Sequence, residues 1–238
     1  MIILDKLIKV GRQNESTRVA WIEKTLKKIP AGSRILDAGA GEQQFKKFCT
    51  HLNYISQDFG KYEGQGDGKG LQMKEWDHGK LDIVSDIVRI PEPDLSFDAI
   101  MCTEVLEHIL DPVAAFKEFS RLVRPGGYLL ITAPFCSLTH FSPYHFSTGF
   151  NRYFYEHHLL SNNFKISELV PNGNYFEYIA QEIIRIPEAA RKYAGGRLNI
   201  FELFVLFLSL RMLQGYSRRN AGSEELLCFG YHVFAQKI

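Results

Sequence analysis

The sequence has no C-x-x-C pair, no uninterrupted apolar run of membrane-spanning length and no surplus of either charge. Its four cysteines, Cys49, Cys102, Cys136 and Cys228, are scattered across 238 residues. That spacing excludes a disulfide framework or a cysteine zinc site. Reduced thiols and a cytoplasmic location are therefore expected. A net charge of +1 gives no field to attract nucleic acid, and Arg218-Arg219 is too short for a basic stripe. The first ten residues carry Asp5, Lys6 and Lys9 and lack the continuous apolar core of a secretory signal. The most apolar stretch, residues 200–213, is interrupted by Glu202 and Ser209 and bounded by Arg197 and Arg211. It falls short of the ~20 residues of a membrane span. A buried or dimer-forming helix is expected there, and a helix lying on a membrane surface is the alternative.

What is present is alternation. Hydrophobic residues make up 45% and charged residues 23%, which suits one globular α/β domain over 1–238. Val19, Ile22, Leu26 and Ile29 share a helical face, with Ser16 or Thr17 as cap and Pro30 as stop. This helix belongs to an N-terminal helical cap over 1–30. Strands are expected at 34–36, 53–57, 81–85, 97–102, 128–132, 164–170 and 226–236. Helices are expected at 43–51, 112–122 and 151–160, with a turn at 124–127 and a largely helical stretch over 172–222. The pattern predicts a doubly wound, mostly parallel seven-stranded sheet with a helical insertion before the last strand.

The chemistry concentrates where the first strand ends, in Ile35-Leu36-Asp37-Ala38-Gly39-Ala40-Gly41. Glycines let backbone approach a ligand without a Cβ in the way. A dinucleotide site would need glycine at 44 to complete G-x-G-x-x-G, and Gln44 stands there. An acid beside the turn suits a ligand with an ammonium and a ribose instead of a pyrophosphate. Asp58 ends the second strand, where a carboxylate can accept from ribose hydroxyls. Asp86 ends the third, where it can accept from an adenine amino group while the Ile87 N–H donates to the ring.

Four segments together, I-L-D-A-G-A-G at 35–41, Y-I-S-Q-D-F at 54–59, C-T-E-V-L-E-H at 102–108 and R-L-V-R-P-G-G-Y-L-L-I at 121–131, resemble the class I S-adenosylmethionine-dependent methyltransferases. The closing C-F-G-Y-H-V-F-A-Q-K resembles that family's last antiparallel strand. The resemblance covers roughly 16–170 and the end of the chain. It implies S-adenosylmethionine as cofactor, with Asp37, Gly39, Ala40 and Gly41 at the methionyl part. It places Asp58 and Phe59 at the ribose, Asp86 and Ile87 at the adenine, and Thr103 and Glu104 lining the pocket. Gln43 departs from it, since many members have a third glycine there. The resemblance also points toward methylation of sugars, nucleotide-sugars or related small metabolites.

Residues 60–70 hold five glycines but no G-x-x-x-x-G-K-[ST], so a flap near the adenine is expected instead of a phosphate loop. The aromatic loop after the fifth strand should overhang the transferable methyl. Within it His145 is the first candidate general base and His140 the second, because histidine is partly unprotonated near neutrality. No metal site is expected, because His140 and His145 lack an obvious third ligand. In the family pattern His108 orders the loop. The expected function is O-methylation of a small acceptor. The alternative is a non-catalytic cofactor-binding scaffold that uses the 172–222 insertion for a partner or membrane surface.

Overall fold

A computed structural model describes residues 8–73 and 75–238; Asp5 and Lys6 of the leader reading lie outside these. The chain divides into two compact units. One comprises Val19–Val170 and Gly230–Ile238, the other Pro171–Phe229 with the described residues up to Arg18.

The larger unit is built on the expected seven-stranded sheet. In chain order the strands are β1 (Arg34–Ala38), β2 (Asn53–Asp58), β3 (Ile83–Val84), β4 (Phe97–Thr103), β5 (Val123–Pro134), β6 (Phe164–Asn172) and β7 (Gly230–Lys237). Their order across the sheet is β3-β2-β1-β4-β5-β7-β6. β1 is parallel to β2 and to β4, β2 to β3, and β4 to β5, while β7 runs antiparallel to β5. The chain leaves β1 toward β2 and β3, then returns to β1's other side as β4. That reversal is a topological switch point, and it opens a crevice at the carboxyl ends of the strands where α/β sheets bind ligands.

β1 is apolar throughout apart from Arg34 and Asp37, as a strand covered on both faces must be. Ile35 and Leu36 are fully buried. Ile35 joins Ile22 and Leu26 from the preceding helix, Ile29 from the turn after it, Ala99, Met101 and Leu130 from β4 and β5, and Phe234 from β7 in one core cluster. Helix α2 (Pro112–Leu122) starts where Asp111 accepts from the Ala114 N–H at 2.9 Å, with proline in its first turn. It buries Ala115, Phe116, Phe119 and Leu122. Helix α3 (Arg152–Ser161) is capped by Asn151, which accepts from the Phe154 N–H.

Several local expectations are corrected. Helix α1 runs over Asn14–Leu26, so Ser16 and Thr17 lie inside it. Their hydroxyls donate back to the Gln13 carbonyl instead of capping. No α-helix forms at 43–51. Gln43 adopts φ +55°, and only a 3-10 turn at Lys46–Phe48 follows. Gln43 thus holds the left-handed backbone that glycine favours, at the position where the family resemblance expects one. Its amide donates to the His78 and Lys80 carbonyls. The third strand shrinks to Ile83–Val84, and Asp82 instead accepts from the N–H and hydroxyl of Ser56. The turn at 124–127 is absorbed into β5 as an irregularity in its pairing with β4 between Phe97 and Ala99.

The smaller unit carries helices α4 (Tyr175–Tyr193) and α5 (Ile200–Ser217). Asn174 caps α4, and Asn199 with Glu202 forms a capping box on α5. Ala180, Leu210 and Leu213 bury against Ile8 and Val10. Gly11 is required there: its φ is +76°, and a Cβ would stand 2.5 Å from the Gln181 backbone nitrogen. Residues 200–213 are covered by their own unit only in part. Ile200, Phe201, Phe204 and Leu208 are at least half exposed. At 18 residues and mean hydropathy 1.3, α5 is the one helix among the described residues long and apolar enough to cross a membrane by length and composition.

Candidate functional site

The candidate site residues lie on the carboxyl edge of the larger unit's sheet. β1 ends and turns at Gly39 and Gly41, with φ +78° and +49°. Each glycine lies under a side chain. A Cβ on Gly39 would meet Val105 at 2.5 Å, and one on Gly41 would meet the Trp76 indole at 2.7 Å. The Gly39 and Ala40 N–H groups donate to the Gln57 carbonyl at 2.9 and 2.8 Å, tying the turn to the end of β2. Phe59, next beyond β2, packs edge-on against Tyr144 at 5.0 Å.

Asp37 and Asp58 meet around this turn. Asp58 is 6% exposed; its two oxygens accept from the Gly41 N–H at 3.0 Å and the Gly60 N–H at 2.9 Å. Each oxygen keeps a lone pair for a further donor. Asp37 is buried, and its Oδ2 accepts from the Tyr54 hydroxyl at 2.6 Å. Its Oδ1 has no hydrogen-bond partner among the described residues. Burial pushes the Asp37 carboxyl up to about 7; the Tyr54 bond opposes the rise, and the neighbouring Asp58 charge adds to it. A buried carboxyl with one unsatisfied oxygen, a second carboxylate with spare lone pairs and a turn held open by glycines fit a ligand bearing an ammonium and ribose hydroxyls.

The remaining expected cofactor residues are placed less uniformly. Thr103 is buried at the end of β4, and Glu104 leaves the strand at φ +54° with its N–H on the Thr132 carbonyl. Val105 then folds onto Gly39. Ile87 is buried, but Asp86 is exposed and accepts from the Val88 N–H at 3.1 Å, which is a turn cap. The glycine-rich loop is anchored on the loop after β5. It runs along residues 139–142, where Asp67 N–H donates to the Ser142 carbonyl and Leu71 N–H to the Thr139 carbonyl. Trp76 contacts Tyr62 and Phe141, at 5.7 and 5.0 Å between rings, and brings an aromatic face to Gly41. Charge and glycine patterns do not reveal Trp76 or Tyr54. Tyr54 could be found from register alone, since it lies diagonally from Asp37 across the β1–β2 pair.

His140 and His145 come together, their ring centroids 4.9 Å apart, and His108 joins them at 4.6 and 5.9 Å. The Ser137 hydroxyl lies 2.9 Å from the Thr148 carbonyl and 3.1 Å from His145 Nε2. With its proton on the carbonyl the hydroxyl accepts from Nε2–H, and in that arrangement Nδ1 keeps the lone pair. Burial and then the charge of His140 hold His145 below its ordinary pKa. Burial above all pushes His108 down to about 3. His145 is half-buried beside an exposed Phe146, so the loop secludes it from water only in part.

A family model described as a methyltransferase domain matches residues 11–182. Over 112 residues the chain is 31% identical to a demethylmenaquinone methyltransferase of Mycobacterium sp. (strain KMS), covering 45% of this chain and 44% of that one. Over 120 residues it is 26% identical to the ubiquinone biosynthesis O-methyltransferase of Leptothrix cholodnii, covering 48% and 49%. The chain thus spans about half the length of these curated relatives. A SAM-dependent methyltransferase from Archaeoglobus fulgidus shares the fold, with TM-score 0.55 and 16% identity, covering 93% of this chain and 94% of that one. Matched over most of its length by the family model and built on the same sheet, this chain belongs to the class I S-adenosylmethionine-dependent methyltransferases.

Proposed function

We propose that the protein methylates a hydroxyl of a small acceptor, with the acceptor held between the glycine turn and the histidine-bearing loop after β5. The observation that carries this reading is His145. It is a half-buried imidazole that can keep its lone pair on Nδ1, depressed below its ordinary pKa and so unprotonated at neutrality.

S-adenosylmethionine, when bound, supplies a methyl group on a sulfonium that leaves as a neutral thioether. The chain's own part is binding, orientation and proton handling. Asp37, through its unsatisfied Oδ1, takes the methionyl ammonium, and Gly39, Ala40 and Gly41 leave room for the backbone to approach it. Asp58, with Phe59 beside it, takes the ribose hydroxyls. Ile87 and Asp86 lie at the adenine end, and Thr103 and Glu104 line the floor. The acceptor oxygen gains the methyl carbon and loses its proton to His145 Nδ1. Holding the two reactants in line supplies most of the rate gain, and the base adds about a hundredfold or more.

A sugar or nucleotide-sugar is the first acceptor class to test, since the aromatic loop offers ring faces beside histidine and carboxylate groups. A quinol-like ring is the second, given what the relatives are named for. A screen of both classes that follows methyl transfer tests the reading. One class accepting methyl at an oxygen supports it; methylation only at nitrogen overturns it. A second reading rests on the exposed apolar face of α5: a cytoplasmic scaffold that binds the cofactor and presents this helix to a membrane surface or a second copy. Cofactor that binds and is never consumed with any acceptor would favour it.

A further inference from the structure

We propose that Glu107, His108 and His140 form a binding site for one divalent transition-metal ion, beside the base His145. This deepens the acceptor site proposed above, and its chemical role rests on that reading, although metal binding itself does not.

The three residues come from two places in the chain. Glu107 and His108 sit on a 3-10 turn (Leu106–His108) just after β4, and His140 on the loop after β5. The loop is stapled to the turn: the Phe146 and Ser147 N–H groups both donate to the Glu107 carbonyl, at 2.9 and 3.2 Å. The Glu107 side chain is 1% exposed. The candidate ligand atoms of the three residues all lie within 4.8 Å of one another.

Orientation carries the argument further than proximity. His108 Nδ1 faces the Tyr144 carbonyl, and His140 Nδ1 faces the Leu138 carbonyl at 2.8 Å. A carbonyl only accepts, so both Nδ1 atoms carry hydrogen. Each Nε2 then holds the lone pair, and both lie 3.8 Å from Glu107 Oε1. This spacing exceeds a hydrogen bond. It is near the separation of about 3.4 Å between two ligands on a tetrahedral ion with bonds of about 2.1 Å. A backbone carbonyl on the far nitrogen is also the usual way a ligating histidine is fixed in tautomer and angle. Two imidazoles and one carboxylate suit zinc, iron, manganese or cobalt and leave coordination positions open. Oxygens of the acceptor would enter those positions, bringing the hydroxyl to His145.

Cobalt(II) is the probe. Added to the full-length apoprotein, it should give visible d–d absorption saturating at one ion per chain. Metal analysis after dialysis should find the same stoichiometry with zinc. Glu107→Gln keeps the shape of a buried side chain, and His140→Ala alters a loop position. Each should weaken cobalt binding at least tenfold while S-adenosylhomocysteine binding, measured in parallel, stays intact. No metal retained by the unaltered protein, or retention in both variants equal to that of the unaltered protein, overturns the site. Methyl transfer unaffected by chelator in that case leaves the acceptor reading standing. A bound ion with no oxygen ever methylated would sink the acceptor reading and leave the metal site.

Discussion

Asp37 and Asp58 are both carboxylates on one sheet edge, yet they differ in what they can do. Asp58 keeps both oxygens engaged by the Gly41 and Gly60 N–H groups and still has lone pairs to offer. Asp58→Ala should cost at least about 2 kcal/mol of cofactor affinity, the scale of hydrogen bonds to a charged group; calorimetry on the folded variant reads it. Asp37 titrates near 7 in the fold against an ordinary 3.8. The raised value means that protonated Asp37 favours the folded state below about 4. That contribution fades as pH rises from about 4 to about 7 and is gone above it. With Asp37 at the ammonium as proposed, cofactor binding should have the opposite slope, because the ammonium needs the ionised carboxylate. Affinity should rise roughly tenfold from pH 6 to 7.5, before the ligand's own amine titrates near 8. A flat profile would remove Asp37 from the ammonium site. His145→Ala should lower turnover about a hundredfold and leave cofactor affinity nearly unchanged. Normal turnover in this variant and in His140→Ala would end the general-base role.

Among the elements, β1 with its glycine turn was legible because its signal is local: an apolar run, an acid and two glycines in seven residues. The helix expected at 43–51 failed because a single left-handed residue, Gln43, overrides apolar spacing. The histidine and glutamate cluster was not legible for another reason. Its members lie on loops after two different strands, more than 30 positions apart, and only the sheet brings them together. Helix α5 shows a third limit. Its apolar composition could not say which residues would find cover. Leu210 is 8% exposed and Leu208 is 50% exposed, two positions apart. Leu210→Ala should therefore cost about 2–5 kcal/mol, while Leu208→Ser should stay within about 0.5 kcal/mol. Denaturant unfolding of the two variants compares them, and equal losses would mean the exposed face is covered in solution.

At the scale of the whole molecule, the seven strands, their mostly parallel pairing and the antiparallel last strand could be expected from alternation and a family resemblance. The partition into two units could not, because one of them is assembled from the beginning of the chain and a segment near its end. The central claim is that the glycine turn and its two acids hold S-adenosylmethionine and not a dinucleotide. Isothermal titration calorimetry of the full chain with S-adenosylmethionine, S-adenosylhomocysteine and NADH tests it most directly. Micromolar binding of the first two at one site per chain, with NADH silent, is the predicted result. Binding of NADH with neither adenosyl compound bound would contradict the account.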